Sequence, residues 1–358
     1  MSYPTLRLHP RKEESVLRFH PWIFSGAIAS FSAPVEDGDL VSVVDSKGRP
    51  LGTGHFGGGS IAVRLLSFDA EEVIDRAFYK RRLEAALRLR LSCDLVRPVG
   101  SSDSPNTTYR LVHGEGDSLP GLIIDIYDRT AVVQAHSLGM HQARQTIAEV
   151  LWEVFAEAGD PVLPLEGIYY KSETTLPTRD MRELASDGFL IGHTEAAPIY
   201  ENGVRFTPDW LKGQKTGFFI DQRDNRALVA HYAKGRTVLN AFCYTGGFSI
   251  YALHAGAKRV DSLDSSAKAM YLTEQHVALN FGTDCPRHHS VTEDAFDYLE
   301  RMPEGEYDLI ILDPPAFAKH RKVLRNALIG YRKINSIAFK KVAPGGIVFT
   351  FSCSQAVS

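Results

Sequence analysis

The spacing of apolar residues changes along the chain, and each spacing predicts a different kind of structure. Over residues 1–72 short apolar stretches at 22–24, 40–44 and 61–66 are separated by turns rich in Gly and Asp. Short strands at this spacing are typical of a small β-barrel. Residues 1–72 are therefore predicted to form a first, β-rich domain.

Helical and strand patterns mix in the next segment, residues 73–195. Apolar residues recur at helical spacing in 71–91 and again in 142–158, while 109–112, 122–127 and 131–135 read as strands around a Gly-rich turn. This order predicts a separate central α/β domain that contains a hairpin.

From residue 196 to 358 the two patterns alternate regularly. Strands are predicted at 237–242, 259–263, 307–312 and 346–351, with helices at 248–254, 266–280, 294–301 and 323–341 between them. Such alternation predicts an α/β fold with a doubly wound, mainly parallel sheet of Rossmann-like type. Ligands bind such sheets beyond the carboxyl ends of the strands, so the residues that follow each strand are the candidates for chemistry.

Composition agrees with a globular chain of two or three domains. The chain has 358 residues, 44% of them hydrophobic and 23% charged, which argues against disordered and fibrous classes. Its four cysteines are far apart, so a reducing compartment is expected and no metal site is predicted. The polar start and the lack of a long apolar run predict a cytoplasmic protein without a membrane segment.

Charge becomes informative only when it is read locally. The net charge of −3 indicates no partner, but 319–341 carries eight Lys and Arg residues and no acid. The helix at 71–91 carries a second basic face. Such runs are usually solvated surfaces; two of them in one chain favour a nucleic acid over a small molecule as substrate.

The first two strand ends of the alternating region carry residues suited to a nucleoside. The glycine pair that starts at Gly246 lies between a strand and a helix, where it would let the backbone approach a ligand or would merely form a tight turn. Asp264 follows the next strand and could accept the hydroxyls of a ribose or cap a helix. Asp294 could bind an adenine amino group, although a helix cap explains it at least as well.

The last two predicted strands end in residues suited to catalysis. Asp313 precedes Pro314 and Pro315, and two prolines make the chain leave the strand along a rigid path. Cys353 follows the final strand, and a cysteine there could be a nucleophile or an inert thiol. The other three cysteines are read as small buried hydrophobes.

Several of these motifs together resemble the RlmI-type rRNA methyltransferases, which are class I S-adenosylmethionine enzymes that make 5-methylcytosine in large-subunit rRNA. The resemblance rests on residues 213–226, 240–247, 313–317 and 352–354. The segment 114–122 is similar to a hairpin of that family, and 22–26 to its RNA-binding PUA domain. The resemblance therefore implies a PUA domain over 1–72, the central domain over 73–195 and the methyltransferase domain over 196–358.

The resemblance also implies roles for particular residues. Cys353 would be the nucleophile, and Asp313 would act beside it. The S-adenosylmethionine site would include Gln214, Thr216, Phe219, Asn240, Phe242, Tyr244, Thr245, Gly246, Asp264, Ser265, Asp294 and Asp313. The residues that would contact RNA are Pro314, Pro315, Phe317, Lys319, Arg321 and Lys322. The implied partners are 23S-type rRNA, free or in a ribosomal subunit or its precursor, and a second copy of the chain.

Two alternatives and one departure accompany this interpretation. An N-methyltransferase of adenine or guanine would also use an acid and prolines, but usually with an aromatic residue where Ala316 stands. A non-catalytic RNA-binding or assembly protein could share the fold. A class I sheet normally has seven strands, and this chain stops five residues after Cys353, so the last strands are expected to be missing.

Overall fold

The computed structural model describes residues 3–177, 186–317 and 324–354. The chain divides into two compact units. The first is drawn from Met1–Gly203 and Pro208–Ile220, and the second from Val204–Thr207 and Asp221–Ser358.

The first unit begins with a six-stranded sheet in the order β2-β6-β5-β4-β1-β3. Its elements are β1 (Thr5–Leu8), α1 (Glu14–Leu17), β2 (Trp22–Phe24), β3 (Ile28–Phe31), β4 (Leu40–Val44), β5 (Pro50–Phe56) and β6 (Ile61–Ser67). Strands β1 and β4 pair in parallel, and the other neighbours are antiparallel. Leu6, Val43 and Val63 lie in its core with no exposed surface.

A second sheet of the first unit has the order β11-β10-β9-β8-β7. Its elements are α2 (Arg76–Ser92), β7 (Thr108–His113), β8 (Leu122–Tyr127), β9 (Thr130–Ala135), α3 (Leu138–Gln142), α4 (Arg144–Ala158), β10 (Gly167–Tyr170) and β11 (Gly188–Gly192). Buried residues such as Phe78, Ile124 and Leu151 join the helices and the sheet in one core. This core is the central α/β fold that the spacing predicts.

The second unit is built on a parallel sheet in the order β16-β15-β14-β17-β18. Following β12 (Ile199–Glu201) and β13 (Val204–Phe206), its elements are α5 (Arg223–Ala233), β14 (Thr237–Ala241), α6 (Gly247–His254), β15 (Arg259–Asp264), α7 (Ala267–Phe281), β16 (His288–Thr292), α8 (Ala295–Arg301), β17 (Leu309–Leu312), α9 (Leu324–Lys341) and β18 (Ile347–Thr350). The chain enters this sheet at its central strand, β14. It then adds β15 and β16 on one side of β14, and β17 and β18 on the other. The carboxyl ends of β14, β15 and β17 therefore meet at the switch point where such sheets bind ligands.

Three local predictions needed correction. Helix α2 starts at Arg76 rather than at residue 71, because the Asp75 side chain caps it by accepting the Phe78 N–H at 2.9 Å. The helix expected over 142–158 is α4, which starts at Arg144, and the short helix α3 that precedes it was not predicted. Strand β16 was not predicted, since its sequence is polar; it is the edge strand next to β15 and needs no apolar alternation.

Within residues 3–177, 186–317 and 324–354, no helix is long and apolar enough to cross a membrane.

Candidate cofactor and catalytic site

The turn between β14 and α6 has a backbone that few sequences could adopt. Phe242, Tyr244 and Gly246 have φ angles of 60°, 49° and 78°, so three residues in five lie in the left-handed region. A Cβ atom on Gly246 would lie 2.6 Å from Cγ2 of Thr273 on α7. Glycine is therefore required there, and the turn is a rigid cradle at the centre of the sheet.

Asp264 ends β15 and holds that turn in place. One carboxylate oxygen accepts the Tyr244 N–H at 2.9 Å, and the other accepts the Ser266 N–H at 2.9 Å. The cap of α7 is Ser266, whose hydroxyl accepts the Ala269 N–H. Asp264 is thus not the helix cap, and each of its oxygens keeps lone pairs for hydroxyl donors. Ser265, beside it, is exposed.

Asp294 follows β16 and caps α8. Its Oδ1 atom accepts the N–H groups of Phe296 and Asp297 at 2.8 and 3.3 Å, as the helix-cap interpretation expects. Its carboxylate is exposed and has a second oxygen, so a cap and a ligand contact are compatible. Phe296, the second residue of the helix, lies 6.4 Å from Phe242, ring centre to ring centre.

Asn240 lies beneath the turn, with no exposed surface. Its Nδ2 donates to Ser249 at 2.8 Å, whereas its Oδ1 is buried and has no hydrogen-bond partner among the described residues. The Ser249 hydroxyl oxygen in turn lies 2.6 Å from the Ser262 hydroxyl oxygen. That Ser262 oxygen lies 2.8 Å from Nε2 of His288. This chain of polar groups fixes the carboxamide and leaves one acceptor at the edge of the candidate site.

The Asp313-Pro314-Pro315 segment leaves β17 next to the same turn. The Asp313 N–H lies 3.5 Å from the carbonyl oxygen of Ala241, the last residue of β14. Pro314 is buried and Pro315 is exposed. Phe317 packs on Tyr331 at 4.6 Å and on Phe296 at 6.1 Å, ring centre to ring centre. These ring contacts form a row of aromatic side chains, in which Phe242 and Phe317 were predicted site residues and Phe296 and Tyr331 were not.

Cys353 follows β18 and reaches the proline segment. Its Sγ lies 3.8 Å from the carbonyl oxygen of Pro314, and the residue is exposed. Ser354, by contrast, is buried, with its hydroxyl 3.0 Å from that of Tyr331. The structure therefore places the predicted nucleophile beside the predicted catalytic acid segment.

The remaining cysteines differ from the expectation in part. Cys243 is buried, and burial together with the charge of Asp264 raises the pKa of its thiol, so it stays protonated. Cys93 is exposed and Cys285 is half-buried, so these two are not the buried hydrophobes that we expected.

Three predicted cofactor residues, Gln214, Thr216 and Phe219, belong to the first unit. Thr216 has no exposed surface, and its hydroxyl donates to Asp125 at 2.5 Å. Gln214 is exposed, and Phe219 is half-buried with the Lys215 ammonium 4.3 Å from its ring centre.

The basic face of α2 is largely neutralised by neighbouring acids. Its ion pairs are Arg76 and Lys80 with Glu153, Lys80 also with Glu157, Arg81 and Arg82 with Glu72, and Arg90 with Asp117. This face therefore presents less positive charge than its sequence suggests. In the second basic run, Lys333 pairs with Glu300 at 2.6 Å, while Lys319, Arg321 and Lys322 lie outside the described residues.

The strand ends of the second unit fit an adenosyl cofactor. They supply a glycine turn that a Cβ atom would block, a carboxylate at the end of the adjacent strand, a row of aromatic rings and a buried acceptor without a partner among the described residues. Asp264 would accept the ribose hydroxyls, and the turn would lie against the amino-acid portion. Over the described ranges, no group of three or more His, Cys, Asp or Glu side chains could hold a metal ion.

Comparisons with known proteins identify the family of the chain. A family model for S-adenosylmethionine-dependent methyltransferases matches residues 178–358, and a model for PUA-like domains matches residues 6–68. Ribosomal RNA large subunit methyltransferase I of Shewanella denitrificans is 41% identical over 356 residues, which is 98% of this chain and 85% of the relative. The protein of that name from Klebsiella pneumoniae is 36% identical over 357 residues, with 98% and 85% covered.

Solved structures share the fold over nearly the whole chain. One, described as a methyltransferase complexed with SAH, has a TM-score of 0.77 at 24% identity and covers 97% of this chain and 85% of that one. Another, described as a SAM-dependent methyltransferase from Streptococcus mutans, has a TM-score of 0.73 at 23% identity with the same coverage. The expected α/β methyltransferase fold, PUA-like domain and cofactor class are confirmed. The chain belongs to the S-adenosylmethionine-dependent methyltransferases and, among them, to the family of ribosomal RNA large subunit methyltransferase I.

Proposed function

We propose that this enzyme methylates carbon 5 of a cytosine in large-subunit rRNA, with Cys353 as the nucleophile. The observation that carries the proposal is the position of Cys353. Its exposed thiol lies 3.8 Å from the Pro314 carbonyl, beside Asp313 and at the sheet edge that carries the cofactor turn. The names of the relatives support rRNA as the substrate.

Carbon 5 of cytosine is too weak a nucleophile to be methylated directly. The Cys353 thiolate would form a bond to carbon 6, which converts the ring into an enamine with a nucleophilic carbon 5. Bound S-adenosylmethionine supplies an electrophilic methyl group, whose bond to the sulfonium sulfur breaks as S-adenosylhomocysteine is left. After carbon 5 has gained the methyl, its proton leaves to a base or water, the sulfur–carbon bond breaks, and the thiolate is restored.

Asp313 would hold the edge of the base during this sequence. The two prolines after it fix the path of the backbone, so the carboxyl group is presented at the mouth of the sheet without a mobile loop. A protonated Asp313 beside ring nitrogen 3 would offset the negative charge that thiolate addition places on the ring. It is therefore assigned to base recognition and charge stabilisation, and not to proton removal at carbon 5.

The target base must leave its stack to reach Cys353. Unstacking costs a few kcal/mol, and less in a loop than in a duplex. The PUA-like domain and the basic run over 319–341 would supply the binding energy through phosphate and shape contacts. Free rRNA, a ribosomal subunit or its precursor could present the base, and the same chemistry would serve a monomer or a homodimer.

The test is methyl transfer from labelled S-adenosylmethionine to large-subunit rRNA. Cys353→Ala should abolish transfer and leave cofactor affinity nearly unchanged, because the thiol acts on the base. Cys93→Ala removes another exposed cysteine and should retain full activity. Full activity of Cys353→Ala would overturn the proposal.

A further inference from the structure

The loop that carries Gln214, Thr216 and Phe219 packs on the central sheet of the first unit. Thr216 has no exposed surface, and its hydroxyl donates to Asp125 on β8 at 2.5 Å, although the two residues are 91 positions apart in the chain. Its side chain is therefore already committed to this contact and cannot also face a ligand in solvent.

Asp125 and Tyr127 together fix that hydroxyl. The Thr216 hydroxyl has one proton, which goes to Asp125, so the Tyr127 hydroxyl, 2.8 Å away, donates to it. Burial and the Asp125 charge raise the pKa of Tyr127 well above its ordinary value, so the phenol stays protonated. The Phe218 backbone also hydrogen-bonds the Tyr127 hydroxyl.

Asp125 is itself held by an arginine. Arg110 on β7 donates to its two oxygens at 2.8 and 2.9 Å, a bidentate geometry that locks the carboxylate in one orientation. Asp125 has no exposed surface, so this pairing also compensates its buried charge. Strands β7 and β8 flank the Gly-rich segment 114–122, a motif for which the proposed chemistry has no use.

Two further buried polar groups hold the loop on the sheet. Lys171, which follows β10, donates to the Gly213 carbonyl at 2.7 Å, and Gln134 on β9 donates to the Lys215 carbonyl at 3.3 Å. Trp210 stacks on Tyr127, with ring centres 6.2 Å apart. Because Lys171 and Gln134 bind carbonyl oxygens of the main chain, they fix the backbone of the loop whatever side chains the loop carries.

The backbone of the loop is also constrained from within. Lys215 has a φ of 51°, and Gly217 has a φ of 126° with the site of a Cβ only 2.7 Å from the Trp210 nitrogen. The loop therefore has one tight conformation. Thr216 lies between these two residues and points inward, whereas Gln214 and Lys215 are exposed.

We propose that Asp125 and Tyr127 are positioning residues for the cofactor: through Thr216 they fix the loop so that Gln214 and Phe219 are presented to S-adenosylmethionine. Thr216 then acts from beneath the loop and is not itself a ligand. The inference rests on the role of this loop in cofactor binding and is independent of the chemistry at Cys353. It assigns the strands around the 114–122 hairpin a part in cofactor affinity.

The test compares two identical substitutions at buried threonines. Thr216→Val removes the hydroxyl that Asp125 and Tyr127 hold. Thr108→Val, the matched control, removes a hydroxyl on β7 that donates to the Ile126 carbonyl at 3.1 Å; both residues have no exposed surface. The dissociation constant of S-adenosylmethionine is measured by calorimetry without RNA, with the melting temperature of each unliganded variant.

Thr216→Val should weaken cofactor binding about tenfold, since an anchoring bond to a charged group is lost. Thr216→Ser keeps the hydroxyl and should restore affinity, and Thr108→Val should bind as the wild type does. If Thr216→Val and Thr108→Val bind the cofactor equally well, the proposal is overturned.

Tyr127→Phe keeps the buried ring and removes the hydroxyl that contacts Thr216 and the Phe218 backbone, while the bond from Thr216 to Asp125 remains. It gives a milder perturbation should Thr216→Val fold poorly, and it too should weaken cofactor binding with little change in melting temperature. Unchanged affinity in this variant would contradict the role of Tyr127. Since none of these measurements uses RNA, an inactive enzyme with normal cofactor binding would count against the proposed function alone.

Discussion

The Sγ atom of Cys353 lies 3.8 Å from the carbonyl oxygen of Pro314, although the two residues are 39 positions apart. Strands β17 and β18 pair in parallel, so the segments that follow them leave the sheet at the same edge. This pairing, rather than any local motif, brings the thiol to the Asp313 segment. The proposed mechanism places the Cys353 thiol on one face of the base and the Asp313 carboxyl at its edge. This arrangement depends on the parallel pairing of β17 and β18.

Gly246→Ala should weaken cofactor binding strongly. The added methyl would lie 2.6 Å from Thr273 and would sit on a backbone with a φ of 78°, so the turn must move. We expect the dissociation constant of S-adenosylmethionine to rise at least about tenfold, corresponding to ~1.4 kcal/mol.

Gly305→Ala is the matched control for that substitution. Gly305 has a φ of 76°, but no atom lies within 4 Å of its Cβ position. It carries the backbone strain of a left-handed alanine, about 1 kcal/mol, without the steric clash. Equal cofactor affinities in the two variants would show that the turn does not shape the site.

The ion pairs of α2 predict that its cations contribute little to RNA binding. The Lys80 ammonium lies 2.5 Å from a carboxylate oxygen of Glu153 and 2.9 Å from one of Glu157. Arg325 on α9 is exposed. Lys80→Ala should leave the salt dependence of RNA binding unchanged, and Arg325→Ala should reduce its slope by somewhat less than one. The slopes come from RNA titrations at several salt concentrations. If the salt-dependence slope falls in Lys80→Ala and not in Arg325→Ala, then α2 and not α9 contacts the RNA, and the prediction is wrong.

Acid should destabilise the fold through His288. Burial and the neighbouring His289 lower the pKa of His288 to about 4, from an ordinary value of 6.5. The folded state then keeps His288 neutral where the unfolded chain would protonate it, so stability present above pH 6.5 is lost progressively toward pH 4. His288→Gln should reduce the fall in melting temperature between pH 7 and pH 4.5. His55, whose pKa is also lowered to about 4 by burial, should preserve part of the fall. An identical fall in His288→Gln would contradict the prediction.

Most of the fold could be predicted because its core elements carry regular apolar spacing. Strands β14, β15, β17 and β18 were located within a few residues from apolar runs such as 237–242. Strand β16 was missed because an edge strand that is half-exposed does not need an apolar face. The ion pairs of α2 were invisible for another reason: Glu153 is far from Lys80 in sequence, and only packing brings the two helices together.

The candidate site could be predicted where a residue lies at the end of a strand or in the turn that follows it. Gly246, Asp264 and Asp313 were identified in this way, and the structure gathers them at one edge of the sheet. The support for Thr216 could not be predicted, since Asp125 lies on β8, 91 residues earlier in the chain. Nor does the sequence show that Phe296 and Tyr331 extend the aromatic row, because helix packing alone decides which faces meet.

The most direct test of the central claim is a covalent trap. Large-subunit rRNA that carries 5-fluorocytidine is incubated with the enzyme and S-adenosylmethionine, and the products are separated on a denaturing gel. After methyl transfer, carbon 5 has fluorine in place of the proton that must leave, so the sulfur–carbon bond cannot break. The account predicts a cofactor-dependent protein–RNA adduct that is absent in Cys353→Ala. If the enzyme methylates unsubstituted rRNA but yields no adduct, the thiolate mechanism is contradicted and methylation of an amino group takes its place.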